Sequence, residues 1–224
     1  MPHCPGGFFL KTMSNKKEER IVLIIKRLKR AYPGAKASLA HKNSFQLLVA
    51  TILSAQCTDI VANKVAAYIF KKYKNAKGLS AAKPSVLEKE LYSTGFYKSK
   101  AKNIIAASKK IVNSFNNKVP NSMEKLLLLN GVGRKTANII LSVAFKKREG
   151  VAVDTHVKRL SRRFGLTKST NPVIIERDIL KVVPFKYWLD FNHILVSHGR
   201  RVCKAKKPLC GKCVIAGICP SSQV

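Results

Sequence analysis

Residues 126–141 read LLLLNGVGRKTANIIL, two apolar segments joined by a Gly-Val-Gly turn and followed two residues later by a lysine. Gly131 and Gly133 let the backbone turn where a side chain would clash, and the helix that follows opens with unpaired N–H groups. Those amides and the helix dipole suit a phosphate. Taken alone, the stretch is equally compatible with an ordinary helix–turn–helix connection carrying a solvated lysine.

The remainder of the chain narrows the choice. Its 224 residues, 46% hydrophobic, are enough to bury a real core in one large or two small domains. Against 43 Lys and Arg stand 11 Asp and Glu, a formal charge of +32, which points to a polyanionic partner and to nucleic acid first. No apolar run reaches the roughly 18 residues a membrane span needs, and no basic helix carries an exposed aromatic face, so a membrane partner is not expected. Apolar residues recur at helical spacing, as in Ile21, Ile24, Ile25 and Leu28 or Phe45, Leu48, Val49 and Ile52. Breaks at Tyr32-Pro33-Gly34, Lys83-Pro84, Thr94-Gly95, Val119-Pro120, Gly150, Asn171-Pro172 and Val183-Pro184 cut the chain into about ten helices, with Asn43, Asn121, Asp154 and Asn171 placed as N-caps. The expected class is all-α. Residues 1–15 read as an extension: they lack the features of a secretory signal, and Met13 offers a second start.

Four of the six cysteines, Cys203, Cys210, Cys213 and Cys219, form C-x6-C-x2-C-x5-C near the C-terminus. This is a metal site by spacing, open to zinc or iron–sulfur because both accept four thiolates. Nearby Lys204, Lys206, Lys207 and Lys212 are expected to lower the thiol pKa values. Cys4 and Cys57 lie too far away to suggest an extracellular disulfide framework, so a reducing compartment is expected, cytoplasmic and nucleoid-associated if the source is bacterial. With only four aspartates, a catalytic carboxylate is nearly found by elimination. Asp154, after Val151-Ala152-Val153 and before Thr155-His156, is both a natural helix cap and a candidate catalytic group.

Together, the hairpin LNGVGRKTANIIL, the downstream VAVDTHVKRL, the upstream LLVATILSAQCTD and the cysteine pattern closely resemble the endonuclease III family of helix–hairpin–helix DNA glycosylases and abasic-site lyases. The resemblance runs from about Lys16 to Cys219. It implies two all-α lobes: a six-helix barrel of residues 38–148 ending in the helix–hairpin–helix of 126–145, and a discontinuous lobe of residues 16–37 and 149–224 with a [4Fe-4S] cluster on the four cysteines. A monomer holding damaged or abasic double-stranded DNA across the cleft between the lobes is implied as well. By position, the catalytic lysine falls on Lys135 and the catalytic aspartate on Asp154. A protonated amine cannot attack a sugar, so the chemistry requires Lys135 to lose its proton, through desolvation or beside cations such as Arg134.

The hairpin residues Gly131, Gly133 and Arg134 and the basic loop Lys204, Lys206 and Lys207 are read as DNA-backbone contacts from the turn geometry and the charge balance, a solvated charge run being the alternative for the loop. The resemblance assigns Gln56 and Phe96 to the space left by an extruded base, and a monovalent cation to the hairpin carbonyls. His156 matches a family histidine near the site, with a structural role equally open, whereas His193 and His198 read as packing or capping residues. Related adenine glycosylases lack the lysine and carry a further C-terminal domain. Here Lys135 is present and five residues follow Cys219, which favours oxidised pyrimidines as substrates. A monofunctional adenine or mismatch glycosylase and a non-catalytic, metal-stabilised DNA-binding protein are the alternatives. The hairpin departs from its relatives at Asn130, where they have proline, and at Leu127, where a carboxylate is usual. Loss of the proline restriction predicts a slightly softer hairpin.

Overall fold

The computed structural model describes residues 6–224, with side chains from residue 16. Eleven α-helices and four short 3-10 turns make up its regular structure, and the described residues contain no strand. No described helix is long and apolar enough to cross a membrane. Cα packing divides the chain into two compact units, Ala37–Glu149 and a discontinuous unit joining residues up to Lys36 to Gly150–Val224.

The continuous unit contains α2 (Ser44–Leu53), α3 (Asp59–Tyr73), α4 (Ala76–Ser80), α5 (Pro84–Leu91), α6 (Tyr97–Ser114), α7 (Met123–Leu127) and α8 (Arg134–Ala144). Seven helices stand where six are expected, two of them, α4 and α7, being segments of only five residues. Helix α2 is apolar nearly all round and buries every residue from Leu47 to Leu53, the pattern of a helix enclosed on all sides. It packs against α3 and α8, while α6 covers α4 and α5. Each fully buried Leu or Ile in this core contributes about 1.5–3 kcal/mol relative to exposure.

The discontinuous unit contains α1 (Gly6–Ala31), α9 (Thr155–Arg163), α10 (Pro172–Val182) and α11 (Trp188–Arg201). Helix α1 begins inside the stretch read as an extension, whose first five residues lie outside the described ones. The stripe Ile21, Ile24, Ile25 and Leu28 is buried as its spacing predicts, joining Val157, Leu160, Phe164, Phe191 and Leu195 in the core. Asn43, Asp154 and Asn171 cap α2, α9 and α10 by accepting from the amides of Gln46, Val157 and Val173. Asn121 does not cap a helix. Ser122 occupies the N-cap of α7 without a side-chain bond, and the Asn121 carbonyl instead accepts from Lys147 Nζ at 2.5 Å.

Candidate functional site

The hairpin residues diverge in what they require. Gly131 has φ +77°, and a Cβ there would meet the side chain of Asn103 at 3.0 Å, so both conformation and space demand glycine. Gly133 has φ −95° as the N-cap of α8, and a Cβ would meet nothing within 4 Å. The expectation that Gly133 relieves a clash therefore fails within the protein.

Arg134 and Lys135 are the first two residues of α8 and both are exposed. Cations in a first turn oppose the helix dipole, each by roughly 0.3–1 kcal/mol. Helix stability alone therefore does not explain this pair, whereas an anion at the same turn does. The exposure of Lys135 departs from the expected desolvation: within the protein this side chain stands in water.

Gln56 and Phe96 share an unusual backbone. Their φ angles are +51° and +48°, the left-handed region that non-glycine residues occupy at a cost and mostly where function requires it. Phe96 is 65% exposed, an aromatic ring held in water at the N-cap of α6 behind Gly95. A residue not singled out from the sequence connects the two loops. Lys100, only 4% exposed, donates from Nζ to the carbonyls of Leu53 (2.8 Å) and Thr94 (2.7 Å). Leu53 closes α2 just before the Gln56 turn, and Thr94 precedes Gly95-Phe96. Burial pushes the Lys100 ammonium below its ordinary value. The available sequence signal was a lysine on the buried stripe of α6, in register with Ile104, Ser108 and Ile111; it was lost among the many lysines of this chain. Replacing Lys100 by methionine fills the same space but strands two buried carbonyls. We expect a loss of about 2–4 kcal/mol, read as a lower urea midpoint; an unchanged midpoint would refute the tethering role.

Asp154 caps α9, its Oδ1 accepting from the Val157 amide at 2.8 Å. It is half-buried, and Oδ2 makes no hydrogen bond among the described residues. His156, one helical turn from Arg159, lies with Nδ1 3.2 Å from the guanidinium Nη2. Arginine can only donate, so this nitrogen accepts and the imidazole is neutral. Burial lowers its pKa, with Asp154 opposing and Arg159 and Arg200 reinforcing that shift.

Cys203, Cys210, Cys213 and Cys219 line one cavity walled by Phe164, Pro208, Leu209 and Ile215, and none is in a disulfide. Among the described residues no three His, Cys, Asp or Glu groups close on a single-ion position; the four thiols surround a space instead. The expectation that lysines lower the thiol pKa values is overturned for Cys213 and Cys219. Burial raises both thiols, and the neighbouring cysteines add to the rise. A bound metal's own charge would offset that rise and hold these two thiols as thiolates. Four sulfur donors around a mostly apolar cavity fit an iron–sulfur cluster.

Further residues hold this region without a sequence motif to announce them. Arg163 Nη1 donates to Cys203 Sγ (3.1 Å) and Lys204 O (2.8 Å), and Nη2 donates to Ala205 O (2.9 Å). Arg159 Nη2 donates to Cys203 O (3.0 Å). The basic loop with exposed Lys204, Lys206 and Lys207 is thus tied to α9 by guanidinium forks. His198, read as a packing residue, is buried with Nε2 3.7 Å from Cys213 Sγ and Nδ1 sharing a hydrogen bond with Tyr32 OH (3.0 Å). Burial pushes its pKa down to about 4.

Comparison with known proteins agrees with this geometry. Residues 49–185 match the model of the HhH-GPD superfamily of base excision DNA repair proteins, and residues 203–219 match the iron–sulfur binding domain of endonuclease III. Endonuclease III of Synechocystis sp. is 51% identical over 96% of this chain and 97% of its own length. The Bacillus subtilis endonuclease III is 40% identical, over 86% and 88%. Among solved structures, a non-covalent endonuclease III–DNA complex superposes with TM-score 0.86 at 36% identity, covering 91% of this chain and 95% of that one. A trapped endonuclease III–DNA covalent intermediate gives 0.85 at 36% identity, covering 91% and 96%. With the hairpin, the capped aspartate and the thiol-lined cavity in place, the chain belongs to the endonuclease III family of the HhH-GPD superfamily.

Proposed function

We propose that this chain is a bifunctional DNA glycosylase and abasic-site lyase that removes oxidised pyrimidines from double-stranded DNA at the nucleoid. The observation that carries this reading is Lys135, an exposed amine in the first turn of the hairpin helix of an endonuclease III family member. A relative 36% identical has been trapped as a covalent intermediate with DNA, the species such an amine produces.

The target base leaves the stack to be reached, and Gln56 and Phe96, on the two loops joined by Lys100, fill the vacated space. The neutral Lys135 amine attacks C1′: the N–C1′ bond forms, the bond from C1′ to the base breaks, and the base departs with its electron pair and a proton. The sugar ring then opens: the C1′–O4′ bond breaks, O4′ takes a proton, and the C1′–N bond becomes the Schiff base, which acidifies the C2′ hydrogen. Removal of that proton expels the 3′ phosphate by breaking the C3′–O bond, which nicks the strand. Asp154, fixed through Oδ1, keeps Oδ2 to stabilise positive charge on the sugar and to receive the lysine proton. Cys203, Cys210, Cys213 and Cys219 hold the [4Fe-4S] cluster, which cross-links the tail and orders the basic loop for the DNA backbone.

Asp154→Asn separates capping from catalysis, because asparagine caps as well as aspartate but carries no charge. Excision of thymine glycol is expected to fall by roughly 10²–10⁴-fold with the unfolding midpoint and DNA binding retained. Unimpaired excision would remove Asp154 from the mechanism, and an inactive wild type on a panel of oxidised pyrimidines would overturn the substrate class.

A further inference from the structure

Helix α9 presents a second feature that the mechanism leaves unused. A cleft of about 660 Å³ runs along it, bordered by Lys158, Arg159, Arg162, Arg163 and Lys168. Hydroxyls from Thr155 and Ser221 line the same space, and no carboxylate does. Among the described residues none of the five cations forms an ion pair. Arg159 and Arg163 spend their donors on neutral carbonyls, a sulfur and an imidazole, so their charge stays uncompensated, and Arg159 Nε is buried without a hydrogen-bond partner. Five like charges in one cleft repel one another, and a bound anion relieves that repulsion.

We infer that this cleft is a phosphate groove that grips the DNA backbone beside the lesion, an inference that rests on the DNA repair reading above. The groove starts at Thr155, next to Asp154, and the α9 residues bordering it extend to Arg163. From Thr155 to Arg162 the helix rises about 10 Å. A DNA strand carries one charge per roughly 3.4 Å of its axis, so the groove spans two or three successive phosphates. Forked guanidiniums and flanking hydroxyls match phosphodiester oxygens, which accept from both. Because Arg159 and Arg163 also hold the Cys203–Ala205 backbone, a phosphate seated here meets the same side chains that fix the basic loop.

The test replaces Lys158, Arg162 and Lys168 together by alanine, leaving the two loop-bracing arginines in place. Binding of the cluster-loaded protein to a duplex containing a tetrahydrofuran abasic analogue is measured as a function of salt. The slope of log K against log[salt] is expected to become shallower by about 1.8–2.7, equivalent to two or three lost phosphate contacts. A control lacking the same charge elsewhere on this unit, Lys26→Ala/Lys181→Ala/Lys186→Ala, is expected to keep the wild-type slope. An unchanged slope in the groove variant, or an equal loss in the control, would overturn the groove. So would a groove variant normal on DNA but weakened toward tripolyphosphate, which would assign the cleft to a small anion. A wild type that binds no duplex would instead defeat the repair reading itself, a result distinguishable from all of these.

Discussion

Borohydride added to the wild-type protein and an oligonucleotide containing thymine glycol or an abasic site is expected to yield a covalent protein–DNA adduct, and Lys135→Ala is expected to yield none. Reduction freezes the Schiff base between the lysine nitrogen and C1′, so trapping reports the nucleophile directly. The substitution is mild in every other respect. Lys135 is exposed in the first turn of α8, so no core packing is lost, and alanine is the best helix former. A cation opposing the helix dipole also disappears. Folding and affinity for an uncleavable abasic analogue should therefore stay near wild type. Strand cleavage without alkali should fall on the order of 10⁴-fold or more, because a positioned nucleophile contributes about 7 kcal/mol or more of the barrier reduction. Trapping that survives the substitution would place the nucleophile elsewhere, and trapping absent from the wild type would point to a monofunctional enzyme.

Cys213→Ser is expected to produce colourless, iron-poor protein whose tail no longer folds. The magnitudes make the case. From Cys203 to Cys219 the backbone forms only 3-10 turns, and Ile215 is its one fully buried residue among the described ones. Fixing these 17 residues costs on the order of 17 kcal/mol or more in backbone entropy, while one buried isoleucine contributes about 1.5–3 kcal/mol. The local turn hydrogen bonds and the Arg159 and Arg163 forks, at roughly 1 kcal/mol each for neutral partners and up to about 3 for charged ones, close only part of that gap. A cross-link at four points is needed, and structural metal sites supply binding energies of that order. Serine oxygen is a poor substitute for thiolate toward iron. Loss of visible absorbance, lower iron content and rapid tryptic cleavage at Lys204 and Lys206 should appear together. A variant that keeps its iron and resists trypsin would show that Cys213 is not required for the cluster.

These expectations rest on two kinds of information. The helical class was readable because apolar spacing follows from how a helix must bury one face, as Ile21, Ile24, Ile25 and Leu28 do. Glycine and proline marked most of the ends correctly. The cap at Asn121 was misassigned because a cap depends on which residue the chain turns at, and Ser122 takes that place. Lys135, Asp154 and the four cysteines stood out because each belongs to a short, ordered motif in a chain with few acids.

Relations between distant residues were not legible. Lys100 differs from its lysine neighbours only in having 4% exposure and two carbonyls within reach, one of them 47 positions away. Arg163 meets Cys203 across 40 residues, and the cleft along α9 gathers side chains from Thr155 to Ser221. By itself the sequence determined the all-helical class and the family, and marked Lys135, Asp154 and the four cysteines as candidates, since local periodicity and closely spaced motifs are written along the chain. The tertiary structure alone decided which of the lysines is buried, that Cys213 and Cys219 sit where burial opposes their ionisation, and that five cations share one cleft. Burial and charge compensation depend on what folding brings nearby, and spacing along the chain does not record it.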